Sequence, residues 1–137
     1  ASYAGAGGAQ AEKVAWRDDL AVAKEAARAS GRPLFIDFTG VTCQNCRKVE
    51  KSIFEKDEFA AAVAGRAEPV RLYTDRQAPP EVKLKDAANR LLMEQLGSVT
   101  LPLYVLMSPD GEVLRAMGYE PAFKVQDFVD FLEVPRR

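Results

Sequence analysis

Apolar positions along the chain change their period several times, and each change marks an element. Between Trp16 and Ser30, Leu20, Ala23, Ala26 and Ala27 recur at helical spacing, with Asp18 expected as N-cap and Gly31 as the stop. "RPLFIDFTG" is then a run of adjacent apolar, aromatic and β-branched residues between Pro33 and Gly40, as a buried parallel strand requires. Asp37 is the anomaly inside it. Val49, Ile53 and Phe54 mark one face of a following helix that carries Cys46 in its first turn. Asp57 is expected to cap a short helix from Glu58 to Ala64, ended by Gly65. "EPVRLYTD" alternates as a strand, with Val70, Leu72 and Thr74 on one face, and "RQAPPEVK" has the composition of a loop. From Asp86 to Leu96 the stripe Ala87, Leu91, Leu92, Leu96 predicts a helix stopped by Gly97. "LPLYVLMSPDGEVLRAMG" predicts a hairpin around Ser108-Pro109-Asp110-Gly111, and Phe123 to Leu132 a closing helix through Phe128, Val129 and Leu132.

The resulting order, α, β, α, β, α, β, β, α, predicts an α/β fold: a mixed, mostly helix-covered sheet in one domain. Residues 1–13, small and Gly-rich at their start, are expected to form a flexible leader or linker, and residues 14–137 the domain. A chain of 137 residues with 47% hydrophobic and 28% charged residues can bury a core without staples. A formal net charge of −1 gives no basic field for nucleic acid. No apolar run approaches the roughly 18 residues of a membrane span. "ASYAGAGGAQ" lacks the basic start and apolar stretch of a secretory signal, so the chain is expected to be a mature form or a soluble piece of a longer protein. Histidine is absent, which removes the commonest general base and the commonest zinc ligand. Chemistry here must use thiols, carboxylates, Lys, Arg or Tyr.

The two cysteines, Cys43 and Cys46, are spaced C-x-x-C between the first strand and the helix that follows. Open α/β sheets place their sites at this end of their strands. Zinc needs four ligands, and two thiolates without histidine do not supply them. Covalent haem attachment wants C-x-x-C-H, and Arg47 stands where that histidine belongs. A bridge closing so small a loop constrains the unfolded chain little, which argues against a structural staple. Dithiol–disulfide exchange is what this spacing serves best. A helix N-terminus stabilises a thiolate. Cys43, at the edge of the helix, is therefore expected to be the nucleophile, and Cys46, one turn in, the shielded resolving thiol.

"FIDFTGVTCQNCRKVE" resembles the active-site stretch of the thioredoxin-like superfamily: a strand, an Asp, then C-x-x-C opening a helix. The likeness runs from about Trp16 to the end. It looks most like the branch of the C-terminal, periplasmic thioredoxin-like domain of the membrane reductase DsbD. The features that carry it are the leading helix with Trp16, the "GRP" lead-in to the strand, "C-x-x-C-R-K-x-E", and the long loop before the helix ending at Leu96. The resemblance implies a thioredoxin fold with an additional N-terminal helix. It places Asp37 as the buried acid six positions before the first cysteine, able to accept the proton of Cys46 because burial raises its pKa. A water-facing Asp at a strand end is the alternative. Glu50 matches an acid that this branch pairs with the buried Asp, although a solvated helix charge is an equal reading. Pro102 matches the family's cis-proline, and Leu101 would offer its backbone to an extended substrate segment. Arg71 stands near the place of a lysine in thioredoxins and could depress the acid's pKa, although an ordinary surface ion pair is the expected role.

Two departures bear on partners. Thr42 precedes Cys43 where many thioredoxins have Trp, and Gln44-Asn45 replaces Gly-Pro. With Leu101 and Pro102, these three residues are the expected substrate-binding surface. The implied activity is that of a monomeric thiol–disulfide oxidoreductase without cofactor, working on protein thiols and disulfides outside the cytoplasm, in the periplasm or its equivalent. A membrane-embedded thiol pair is its implied electron donor. Negative charge at Asp37 and Glu50 should oppose thiolate formation and favour the reducing direction. A disulfide oxidase or isomerase, a peroxidase using Thr39 or Thr42 beside one cysteine, and a non-catalytic interaction domain are the alternatives.

Overall fold

The computed structural model describes residues 12–133; the start of the expected leader, residues 1–11, lies outside them. Glu12 and Lys13, the end of that leader, make side-chain contacts with the domain. In chain order the elements are α1 (Leu20–Ser30), β1 (Leu34–Thr39), α2 (Gln44–Val49) continuing into a π-helical turn (Glu50–Phe54), α3 (Asp57–Arg66), β2 (Glu68–Tyr73), α4 (Pro80–Gln95), β3 (Leu103–Met107), β4 (Val113–Gly118) and α5 (Val125–Phe131). The four strands form one sheet in the order β2-β1-β3-β4. β1 and β2 are parallel, while β3 runs antiparallel to both β1 and β4. This is the mixed, helix-covered sheet that the pattern predicts.

Strand alternation sorts the side chains into two cores. Leu34, Ile36 and Phe38 of β1 join Val70, Leu72, Leu103, Val105 and Met107 against Ala23, Ala27 and Met93. The narrow alanine face of α1 lets that helix lie close to the sheet. On the other face Phe35 meets Tyr104, Leu106, Phe54, Phe59 and Phe128. Phe54 and Phe59 stack at 4.5 Å, and Phe128 meets Tyr104 edge-on at 5.1 Å. Burying each such ring contributes about 1.5–3 kcal/mol by area, and ring pairing adds to it. By the period of two, Asp37 points to this aromatic face, the one covered by the helix that carries Cys46.

Several boundaries differ from the sequence pattern. Asp19, not Asp18, caps α1: its carboxylate accepts the Val22 N–H at 3.1 Å. Gly31 ends that helix at φ 72°, a left-handed position that suits glycine. Asp57 is the first residue of α3 rather than its cap, its carboxylate pairs with Lys13, and the helix runs through Gly65 to Arg66. α4 begins at Pro80, inside the segment read as loop. Proline is well suited to a first helical position, where no N–H is needed. Its buried face is Asp86, Asn89 and Met93, while Leu91 is exposed, contrary to the expected Ala87–Leu91 stripe. The reason is polar. Asp86 accepts from the Arg76 backbone and guanidinium, and Asn89 donates to the Tyr73 carbonyl, so these side chains fasten α4 to the end of β2. The closing helix is shorter than predicted, Val125–Phe131, with Phe128 and Leu132 buried as expected.

Candidate active site

β1 delivers the chain through Gly40 directly to the two cysteines. Cys43 is the N-cap residue of α2, and its sulfur accepts the Cys46 N–H at 3.1 Å. Cys43 and Cys46 are disulfide-bonded, with Cα atoms 5.3 Å apart. Cys43 is partly exposed, whereas Cys46 is buried. That asymmetry is the one expected of an attacking and a resolving thiol. Thr42 and Gln44 beside them are exposed, and Asn45 is half-buried. The Leu101–Pro102 peptide is cis, with Pro102 buried and Leu101 half-buried. The loop before Cys43 is fixed by Asp75, whose two carboxylate oxygens accept the Val41 N–H at 3.0 and 3.2 Å. No helix among the described residues is long and apolar enough to cross a membrane.

Beneath α2 lies a buried cluster of charge. Asp37 is 1% exposed, and its Oδ2 accepts from Arg71 Nε at 2.8 Å. Parallel register explains the pair, because Asp37 and Arg71 are direct partners across β1 and β2. The expectation of a surface role for Arg71 is thus overturned: its side chain is only 14% exposed, with its guanidinium carbon 4.3 Å from the centre of the Trp16 ring. Arg71 also donates to Glu12, at 3.1 Å from Nη2 and 3.4 Å from Nη1, and lies 3.9 Å from Glu50. Glu50 in turn accepts from Arg47 Nη2 at 3.0 Å, and the same nitrogen donates to Thr39 Oγ1 at 2.8 Å. The structure therefore brings Asp37 and Glu50 together around Arg71, with Arg47 on the far side of Glu50. The sequence pattern does not bring Arg47 or Glu12 to the site, and it does not show that Arg71, read as able to depress the acid's pKa, is buried there. The signal for Arg71 was its position opposite Asp37, which becomes readable only once the register is known.

Electrostatics follow from this arrangement. Three carboxylates, Glu12, Asp37 and Glu50, face two guanidiniums, Arg47 and Arg71. Burial raises the pKa of Asp37 above its ordinary value, and the Arg71 charge offsets part of that rise. Burial likewise lifts Glu50 to about 7, against the pull of Arg71 and Arg47. Burial opposes the charge on Arg71, but Asp37, Glu12 and Glu50 outweigh it, so its pKa is raised. Tyr104, the register partner of Asp37 on β3, is pushed up by burial and then by the charges of Asp37 and Glu50. Among the described residues, Asp37 Oδ1 and Arg47 Nε are buried without a hydrogen-bond partner. Asp37 thus keeps one oxygen free for a proton.

Comparison with known proteins bears on the family and the fold. The thiol:disulfide interchange protein DsbD 2 of Pseudomonas aeruginosa is 32% identical over 91 residues, 66% of this chain and 14% of that protein. The chain therefore matches only a small part of that relative's length. The structure of a DsbH oxidoreductase superposes with a TM-score of 0.66 at 22% identity, covering 89% of this chain and 85% of the other. The oxidised C-terminal domain of DsbD from Neisseria meningitidis gives a TM-score of 0.64 at 17% identity, covering 85% and 96%. Both likenesses concern the fold. The family model described as Thioredoxin-like matches residues 15–109, a span that takes in α1, β1, the C-x-x-C, β2, α4 and β3. By that match, and with the Cys43–Cys46 pair at the helix start where the topology places it, this chain is a member of the Thioredoxin-like family.

Proposed function

We propose that the protein is a thiol–disulfide reductase that passes electrons to partner proteins through Cys43 and Cys46. The observation that carries this reading is the pairing of a partly exposed Cys43 at a helix start with a buried Cys46, one turn before Glu50 of the buried carboxylate cluster. In the first step the Cys43 thiolate attacks one sulfur of a partner disulfide; a Cys43–partner bond forms and the other partner sulfur leaves as a thiolate. In the second, Cys46 gives its proton to Asp37, directly or through water, and attacks Cys43. The Cys43–Cys46 disulfide forms and the second partner sulfur leaves with its electron pair. Two electrons have moved, and an upstream dithiol must reset the pair. Negative charge at Asp37 and Glu50 opposes a stable thiolate and supports the reducing direction. Thr42, Gln44, Asn45 and Leu101 are the proposed contact surface for the partner, with Pro102 opposite the disulfide.

The similarity to DsbD proteins supports an extracytoplasmic setting and a membrane-embedded thiol donor, and the reading takes the domain as a monomer. The decisive measurement is the reduction potential of the pair against glutathione and dithiothreitol buffers. A value at or below about −270 mV, that of thioredoxin, is expected. A value near −120 mV, that of DsbA, would make the protein a disulfide donor. Replacing Cys46 with Ser should trap mixed disulfides on Cys43, which mass spectrometry of the adducts would identify. Absence of any adduct would leave the family fold without exchange chemistry. A fast reaction of Cys43 with peroxide in stopped flow would favour the peroxidase alternative.

A further inference from the structure

The segment before α1 does more than lead into the domain. It lies along the outer edge of β2, where Arg17 N–H donates to the Pro69 carbonyl at 3.1 Å and the Arg71 N–H donates to the Arg17 carbonyl at 2.7 Å. Arg17 pairs with Glu68 at 2.8 Å, and Lys13 with Asp57 of α3. This strap inserts two side chains over the buried cluster. Trp16 lies on the Arg71 guanidinium and donates from Nε1 to Glu12 at 2.9 Å, while Glu12 takes both terminal nitrogens of Arg71. Arg71 holds Asp37 through Nε alone. One guanidinium is thus divided between an acid of the sheet and an acid of the strap.

Resting on the reductase reading above, we propose that Glu12 is a positioning residue for the dithiol: by competing with Asp37 for Arg71, the seated strap sets the pH at which Asp37 takes the proton of Cys46. The groups facing Asp37 are Arg71 from β2, Tyr104 from β3, Arg47 and Glu50 from the active-site helix and its π turn, and Glu12 from the strap. Asp37 and Glu50 are matched by Arg47 and Arg71, and Glu12 adds the third negative charge that leaves the cluster short of positive charge. Its removal leaves the Arg71 charge to Asp37 and Glu50, and both acids then ionise at lower pH. The charge of Glu12 also raises the Asp37 and Glu50 pKa values in the same sense.

The test uses the reduced full chain and 5,5′-dithiobis(2-nitrobenzoate) as the disulfide probe. Release of the first thionitrobenzoate reports attack by Cys43, and release of the second reports attack by Cys46 on the mixed disulfide. Glu12→Gln keeps an acceptor for Trp16 and Arg71 but removes the charge. It is expected to move the pH profile of the second phase to lower pH, accelerating that phase about threefold or more near pH 6, with the first phase less affected. Trp16→Phe keeps a ring against Arg71 and removes the donor that orients Glu12, so the same shift is expected in smaller measure. Lys13→Ala breaks a strap contact remote from the cluster and should leave the profile in place. Second-phase profiles of Glu12→Gln and Trp16→Phe that superimpose on the parent would overturn the proposal. Loss of the second phase in the parent itself would instead overturn the reductase reading.

Discussion

Glu50 shows how a single side chain ties stability to pH. In the unfolded chain it titrates near 4.5; in the fold burial lifts it to about 7. Between those values the folded protein binds more protons than the unfolded one, so stability falls as pH rises through this window. The penalty is fully present above pH 7 and absent below 4.5. Arg47 and the wetted edge of the site screen the charge, which brings the expected loss to about 1–2 kcal/mol. Glu50→Gln can still accept from Arg47 but has no charge to bury. It should therefore gain stability over the parent at pH 8 and little at pH 4, measured by denaturant unfolding at the two values. A part of the slope should survive in this variant, because Asp37 is raised by burial in the same direction. An unchanged slope would assign the buried proton to Asp37 alone.

At the scale of elements, the site is a junction of loops brought together by the sheet. Gly40 ends β1 where the chain passes both Asp75, after β2, and Leu101, before β3. A Cβ at Gly40 would stand 2.8 Å from Leu101 Cδ1 and 2.9 Å from Asp75 Oδ2. Asp75 is the acceptor that fixes the loop before Cys43, so Gly40→Ala disturbs the dithiol loop and the proline loop at once. The expected cost is about 1–3 kcal/mol, as for other overpacked positions. Exchange with a protein disulfide should slow more than exchange with a small aromatic disulfide if the proposed contact surface holds, since only a protein segment can pair with the Leu101 backbone. Equal slowing on both substrates would remove the proposed strand pairing at Leu101. The same scale explains what was legible in the sequence. β1 and its C-x-x-C could be read because one unbroken apolar run and one local spacing encode them. The inner face of α4 could not, since Asp86 and Asn89 are buried by bonds to Arg76 and the Tyr73 carbonyl, which the apolar pattern does not report. Glu12 and Arg71 meet across 59 positions, a distance no window of the sequence spans. Val49, Ile53 and Phe54 are buried as their spacing predicts, but that spacing does not tell the π turn from an ordinary helical one.

For the whole molecule, the redox state of two sulfurs and the stability of the fold are one thermodynamic cycle. The difference between the potential of the folded dithiol and that of the same C-x-x-C in the unfolded chain equals the difference in stability between oxidised and reduced protein. For a two-electron couple about 30 mV corresponds to about 1.4 kcal/mol. Asp37 lies on β1, six residues before Cys43, and Glu50 on the π turn that continues the Cys46 helix, and Arg71 joins the two acids. Their charge raises the free energy of a thiolate there, and a disulfide relieves it. The oxidised form is therefore expected to be the more stable one, with the higher melting temperature and the higher denaturant midpoint. In a domain of this size 1.4 kcal/mol is worth roughly 3–8 °C at the transition, an easily read separation. The strong oxidant DsbA behaves in the opposite sense, because its reduced form is the stabilised one. Melting both forms at pH 8 tests the direction of electron flow without a client protein. If the reduced form melts higher, the cluster of Asp37, Glu50, Arg47 and Arg71 stabilises the thiolate rather than opposing it, and the oxidised Cys43–Cys46 pair is a disulfide donor.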